Sequence, residues 1–325
     1  MTKISQAKAK SSFRSSLPNV DDFLLNLQTN NYSKETVYNY ERDLKVFEEY
    51  LSEMSLPWKK LNRRAIEQYK AYLTSIDRKT AQNAKIEAKL GSYSINRMLS
   101  SLRSYLKYLI DNEYETPISP EVVKLTKTEK KHPRVAELAD LIRLIESPAI
   151  FEKNKEVILR NRAMLEVLFS TGLRISELVN LNRDQIDNSG KIFVMGKGKK
   201  ERFVYLTERA KEYLKNYLNT RKDDSPSLFI PYRGSAVKTT HRRISINYIQ
   251  ERIKRYRELL KINVPTSAHS LRHGFATYLA ESGANPAAIQ ILLGHESLDT
   301  TTRYVHASDR YAEETMKRFH PLKNK

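Results

Sequence analysis

From Val20 to Leu109 the large apolar residues return at intervals of three and four along four stretches. That period commits this part of the chain to helices that each bury one stripe. Val20, Phe23, Leu24 and Leu27 make the first stripe. Val37, Tyr40, Leu44, Phe47 and Leu51 make the second, with Ser33 as its N-cap. Ile66, Tyr69, Tyr72 and Leu73 make the third, starting near Asn62. Ile95, Leu99, Leu102, Leu106 and Leu109 make the fourth, opened by Ser92 or Ser94. Pro57 breaks the chain after the second. The polar stretch 77–90 precedes the fourth and reads as a loop or a short solvated helix. Four such helices make a small bundle over residues 18–116. Residues 1–17, rich in Ser and Lys, read as a flexible basic extension.

Pro117, Pro120 and the lysines that follow read as a linker over 117–134. The pattern then changes. Helical spacing covers 136–146, 156–170 and 175–181, with Gly172 as punctuation. Residues 191–195 and 202–206 flank Gly196-Lys197-Gly198-Lys199-Lys200 and read as a β-hairpin. Thr207 caps a helix to about Leu218, and 227–230 reads as a third strand. Helices resume near His241 and near His269. Asn285-Pro286 opens a short helix that Gly294 ends. A turn of helix holds Thr301 to Val305, and the tail 308–319 is helical in pattern. The expected fold class is mainly α with a small β-sheet (α+β) in a C-terminal domain, 135–325, behind an N-terminal helical bundle.

Charge narrows the function. The 57 Lys and Arg exceed the 38 Asp and Glu by 19, with +6 in residues 1–130 and +13 in the remainder. Both parts are drawn to polyanions, nucleic acid above all, although a basic surface also serves solubility. No apolar run approaches the roughly 18 residues of a membrane-spanning helix, and the opening residues lead into no apolar h-region of a signal peptide. The absence of cysteine removes disulfides, Cys-based zinc sites and a thiol nucleophile. A soluble intracellular protein fits.

Five stretches place cationic groups at punctuated positions: the run from Thr171 to Leu178 with Arg174, the turn around Lys197, His269-Ser270-Leu271-Arg272-His273, Gly294-His295, and Thr302-Arg303-Tyr304. Guanidiniums grip the non-bridging oxygens of a phosphodiester with paired donors. A tyrosine hydroxyl can attack phosphorus, and a lysine can protonate the leaving sugar oxygen. Arginines can take the electrostatic role of a divalent ion, so this chemistry demands no metal. Each residue also has a plainer reading. Arg174 can cap or pair with Glu177, His295 can end a helix, and Tyr304 is one of 19 tyrosines. His269 and His273 stand at zinc-ligand spacing, but no carboxylate lies nearby in sequence.

Taken together, Arg174, Lys197, His269-x-x-Arg272, His295 and Tyr304, in that order, resemble the tyrosine recombinase (phage integrase-like) family, in its Xer-like form. The resemblance runs from about residue 18 to 320 and is strongest over 160–310. The nine-residue step from His295 to Tyr304 and the 23 residues from Arg174 to Lys197 suit it. It implies a SAM-like core-binding bundle, a recombinase catalytic domain, and an enzyme that cuts and rejoins DNA at specific sites through a 3′-phosphotyrosyl intermediate and a Holliday junction. Arg174 and Arg272 would then clamp the scissile phosphate, with His269 contacting it and handling a proton and His295 as a further phosphate ligand. Lys197 would be the general acid, Tyr304 the nucleophile and Glu177 a supporting residue. Arg97, Arg103, Lys107, Lys199, Lys200 and Arg202 are candidate DNA contacts. The resemblance implies no cofactor, metal or ATP. The implied partner is a double-stranded core site with inverted half-sites, bound by four protomers of this chain or of this chain with a related recombinase. It also implies a cytoplasmic, nucleoid-associated place, a role in chromosome or plasmid dimer resolution, and a C-terminal helix that docks on a neighbouring protomer. Residues 1–17 and 77–90 depart from the plain Xer-like pattern and keep a mobile-element integrase in view. A type IB topoisomerase, which uses closely similar chemistry, and a DNA-binding protein without catalysis compete with this assignment.

Overall fold

In a computed structural model the described residues are 16–75, 89–128, 136–196, 201–234 and 242–294. The chain divides into two compact units, Met1–Lys131 and His132–Lys325.

The first unit carries α1 (Val20–Thr29), α2 (Lys34–Glu53), α3 (Arg63–Thr74) and α4 (Ser92–Asp111). Ser33 caps α2 by accepting from the Thr36 amide, and Asn62 caps α3 by accepting from that of Ala65. Helix α4 starts at Ser92, with Gly91 at its N-cap. The stripes meet in one core that includes Phe23, Phe47, Ile66, Leu73, Leu99 and Leu106. Phe47 and Tyr69 pack edge to face at 4.8 Å. One carboxylate is buried there. Asp43 accepts from Arg97 Nη1 at 2.6 Å and from Ser101 Oγ at 2.8 Å. Burial pushes its carboxyl up against these partners. Past Pro117 the described residues, as far as 128, stay packed on the bundle. Val123 is buried, and Asn96 exchanges hydrogen bonds with the backbone of Thr126 at 2.9 and 2.8 Å.

The second unit is built on α7 (Lys155–Thr171), which is buried on nearly every side and packs against α5 (Leu138–Glu146), α6 (Pro148–Phe151), α9 (Glu208–Leu218) and α11 (Ala268–Glu281). Helices α8 (Ile175–Asn180), α10 (Ile246–Leu259) and α12 (Pro286–Leu293) complete the helical part among the described residues. Strands β1 (Lys191–Met195) and β2 (Glu201–Tyr205) form one antiparallel pair, with Val194 opposite Arg202. Ile192 and Val194 of β1 and Arg202 and Val204 of β2 point inward.

Two expectations change. The helix expected near His241 starts at Ile246 under its cap Ser245. Residues 227–230 are not a third strand. Ser227 makes a single bridge to Asn182, the Leu228 amide bonds Leu181, and Phe229 accepts from Ile244. These backbone groups serve two separate segments, and Leu228, Phe229 and Ile230 are all buried, so neither a ladder nor an alternating face develops. The extension 1–15, most of the stretch 77–90 and the tail 308–319 lie outside the described residues.

Helix α7 ends on Gly172 in the left-handed region, φ 61°. A Cβ at that position would lie 2.4 Å from Phe275 Cδ1 and 3.1 Å from Leu293 Cδ2. Gly172 is therefore where α7, α11 and α12 come together. Replacing it with alanine combines left-handed strain with overpacking. Gly172→Ala should lower stability by about 2–5 kcal/mol in urea unfolding.

Candidate active site

The site gathers where four pieces of chain end or turn. Arg174 is the N-cap of α8, two residues past Gly172. Its amide donates to Glu177 Oε2 at 2.8 Å, and its Nη1 donates to Oε1 at 2.9 Å. Glu177 is itself buried. From β2, Arg202 approaches the same carboxylate fork to fork, Nη1 to Oε1 at 2.9 Å and Nη2 to Oε2 at 2.7 Å. Burial alone raises the Glu177 carboxyl. The hydrogen bonds and charge of Arg202 and the bonds from Arg174 outweigh it and hold the group below the usual carboxylate range.

A second set of bonds organises the cations. The last carbonyls of α12 lack partners within the helix and carry the negative end of its dipole. Three of them, in succession, accept from three different arginines. Leu292 O takes Arg202 Nε at 2.9 Å, Leu293 O takes Arg272 Nη2 at 2.7 Å, and Gly294 O takes Arg174 Nη2 at 3.4 Å. Arg272 also donates through Nη1 to Gly172 O at 2.7 Å. It is 4% exposed, whereas the Arg174 side chain is 36% exposed. Gly294 ends α12 at φ 64°, and a Cβ there would stand 3.0 Å from Arg202 Cδ. The left-handed backbone favours a glycine, and the arginine packed over it leaves little room for a Cβ. Three guanidiniums and one carboxylate leave an excess of two positive charges beside α12, which suits a phosphodiester.

His269 sits one residue into α11, below the Ser267 cap and its reciprocal bonds with Ser270. Burial, then the charges of Arg272 and Arg174, hold its imidazole below the ordinary range. Together these favour its neutral form at pH 7. One turn on, His273 puts its Nε2 at 2.7 Å from His269 Nε2, with the rings edge to face at 4.2 Å. Its pKa is lowered to about 4 by burial, His269 and Arg272. No group of three or more His, Asp or Glu side chains able to hold a metal ion occurs among the described residues.

Of the residues singled out in the sequence, Arg174, Glu177, His269 and Arg272 are brought together. Lys197, His295 and Tyr304, with Lys199 and Lys200, lie outside the described residues. Among the candidate DNA contacts, Arg103 and Lys107 are exposed on α4, and Arg97 is tied to Asp43. Arg202 is corrected. It is buried, and its guanidinium is engaged by Glu177 and Leu292 O rather than presented on the surface. Its inward place was readable from the period-two pattern that sets it on one face with Val204. The pairing of His273 with His269 was readable only as i, i+4 spacing.

Residues 136–310 match the phage integrase family, and residues 20–113 match the phage integrase N-terminal SAM-like domain. The chain belongs to the phage integrase family, the tyrosine recombinases, and is an Xer-like site-specific recombinase that cleaves and rejoins DNA. It is 31% identical over 299 residues to tyrosine recombinase XerD of Staphylococcus haemolyticus, covering 89% of this chain and 93% of the relative. It is 35% identical over 240 residues to tyrosine recombinase XerC of Thermodesulfovibrio yellowstonii, covering 70% and 76%. The fold is shared with XerH recombinase bound to a palindromic difH substrate in a post-cleavage complex, at a TM-score of 0.67 and 21% identity over 92% of this chain and 83% of that one. It is shared also with a lambda integrase dimer bound to a COC′ core site, at 0.67 and 17% over 89% and 76%.

The histidine pair makes stability pH-dependent. An unfolded His titrates near 6.5, and folded His273 near 4. Between those values the unfolded chain binds the extra proton, so the stabilisation present above about pH 6.5 is lost as pH falls towards 4. The unfolding temperature of His273→Gln should fall less steeply than that of the unaltered protein across this window.

Proposed function

We propose that the arginine-lined end of α12 binds the scissile phosphate of a duplex core site and that Tyr304 attacks it. The observation that carries this reading is the seating of Arg174, Arg202 and Arg272 on three successive carbonyls, with a neutral histidine beside them. Two of these arginines, Arg174 and Arg272, are the phosphate ligands. They stabilise the charge that grows on the non-bridging oxygens in the transition state, and they are held in place before the substrate arrives. Their fixed charge does the electrostatic work that other phosphoryl-transfer sites give to a divalent ion.

The hydroxyl of Tyr304 forms a bond to phosphorus as the bond to the sugar 5′-oxygen breaks. Its proton passes to His269, whose lowered pKa suits a base, and Lys197 gives a proton to the departing oxygen. His295 adds a phosphate contact. The product is a 3′-phosphotyrosyl link and a free 5′-hydroxyl. The diester energy is kept in that link, so a 5′-hydroxyl from a partner strand reverses the step without ATP. Exchange of one strand pair gives a Holliday junction, and exchange of the second resolves it. Four protomers, of this chain alone or with a related recombinase, act on two core sites with inverted half-sites. The likeness to the XerD and XerC relatives supports resolution of chromosome or plasmid dimers in the cytoplasm. Arg97, Arg103 and Lys107 of the bundle, with Lys199 and Lys200, contact the DNA backbone.

Tyr304→Phe should bind DNA with unchanged affinity and form no covalent adduct on denaturing gels. An adduct from that variant would remove Tyr304 as the nucleophile. Lys197→Ala should slow cleavage by about 10²–10⁴-fold and recover most of that loss on a substrate whose leaving group is a 5′-thiol. Equal losses on the two substrates would remove Lys197 as the acid.

A further inference from the structure

We propose that Arg202 is a positioning residue for DNA cleavage: through the Glu177 carboxylate it fixes the guanidinium of Arg174 and ties strand β2 to it. The inference rests on the reading of Arg174 as a phosphate ligand. Each oxygen of Glu177 is shared. Oε1 accepts from Arg174 Nη1 and Arg202 Nη1, and Oε2 accepts from the Arg174 amide and Arg202 Nη2. A carboxylate held only by Arg174, which is partly exposed, could turn about its last torsion and carry that guanidinium with it. The planar fork of Arg202 removes this freedom. Arg202 and Glu177 are each 6% exposed, so the pair is shielded from water and its geometry is stiff. The third anchor of Arg202, Nε on Leu292 O, sets the same guanidinium against the end of α12, whose Gly294 carbonyl Arg174 also uses. Lysine cannot substitute, because an ammonium is a point charge without the fork.

Arg202 also stands five residues after Lys197 in the chain, in a strand whose register is fixed by its pairing opposite Val194. One side chain thus anchors the strand that follows the general acid to the clamp for the phosphate.

The test uses the full chain and a nicked duplex whose cleavage site has been selected from a random library by covalent trapping. Single-turnover adduct formation, DNA binding and thermal unfolding are measured for the unaltered protein, Arg202→Met, Arg202→Lys, Arg174→Ala and Arg174→Ala with Arg202→Met. Both Arg202 variants should slow adduct formation by about 10²-fold while DNA affinity changes less than about threefold. Arg202→Lys keeps the buried positive charge and controls for loss of folding. Added to Arg174→Ala, Arg202→Met should slow the reaction by no more than about twofold, because both act on one interaction. Retention of its full effect in the Arg174→Ala background would overturn the inference and leave the site reading intact. A loss of activity that only follows the unfolded fraction would overturn it as well. An unaltered protein that forms no adduct on any trapped sequence would sink the phosphate-clamp reading, and the inference with it.

Discussion

The exposed carbonyl end of α12 is the constraint on which the site depends. A helix C-terminus leaves carbonyls without partners and concentrates negative partial charge there. Here Leu292, Leu293 and Gly294 each present one carbonyl, and each is met by an arginine from a different place in the chain. Like charges so close would repel one another strongly. The helix end and the buried Glu177 carboxylate offset that repulsion and still leave the cluster cationic. The glycines follow from the same packing. Gly294 lies under Arg202. Gly172 lies under Phe275, and its carbonyl accepts from Arg272.

The polar groups around this cluster are buried because they are paired. A carboxylate taken out of water is disfavoured unless hydrogen bonds and opposite charge compensate. Glu177 receives four such bonds and is held ionised, whereas Asp43, with fewer partners in the bundle, is pushed the other way. The contrast separates two uses of a buried acid. Asp43 fastens α2 to α4. Glu177 distributes two arginines, one of them facing solvent. The histidine pair follows the same electrostatics in reverse, since burial and the charge of Arg272, with Arg174 acting on His269 alone, keep the imidazoles neutral.

Much of this was legible in the chain itself. The three-and-four spacing gave the four bundle helices, and Ser33, Asn62, Thr207 and Asn285 marked starts that the structure keeps. Arg174, Glu177, His269 and Arg272 stood out because each sits beside a break or within a tight motif. The third strand at 227–230 and the helix start near His241 failed for one reason. Apolar content and a polar residue nearby do not say which segment will supply hydrogen bonds. Arg202 was assigned to the DNA surface from its place after a Lys-rich turn, against the period-two pattern that sets it on the buried face with Val204.

The sequence alone determined the helical period, the caps, the basic balance and the order of arginine, histidine and glycine along the chain, because each is set by neighbours within about a turn of helix. Only the tertiary structure decided that residues 292–294, 272, 202 and 174 share one set of carbonyls and one carboxylate. Those partners are separated by as many as 120 positions along the chain, and no local pattern encodes which buried acceptor a given guanidinium will reach.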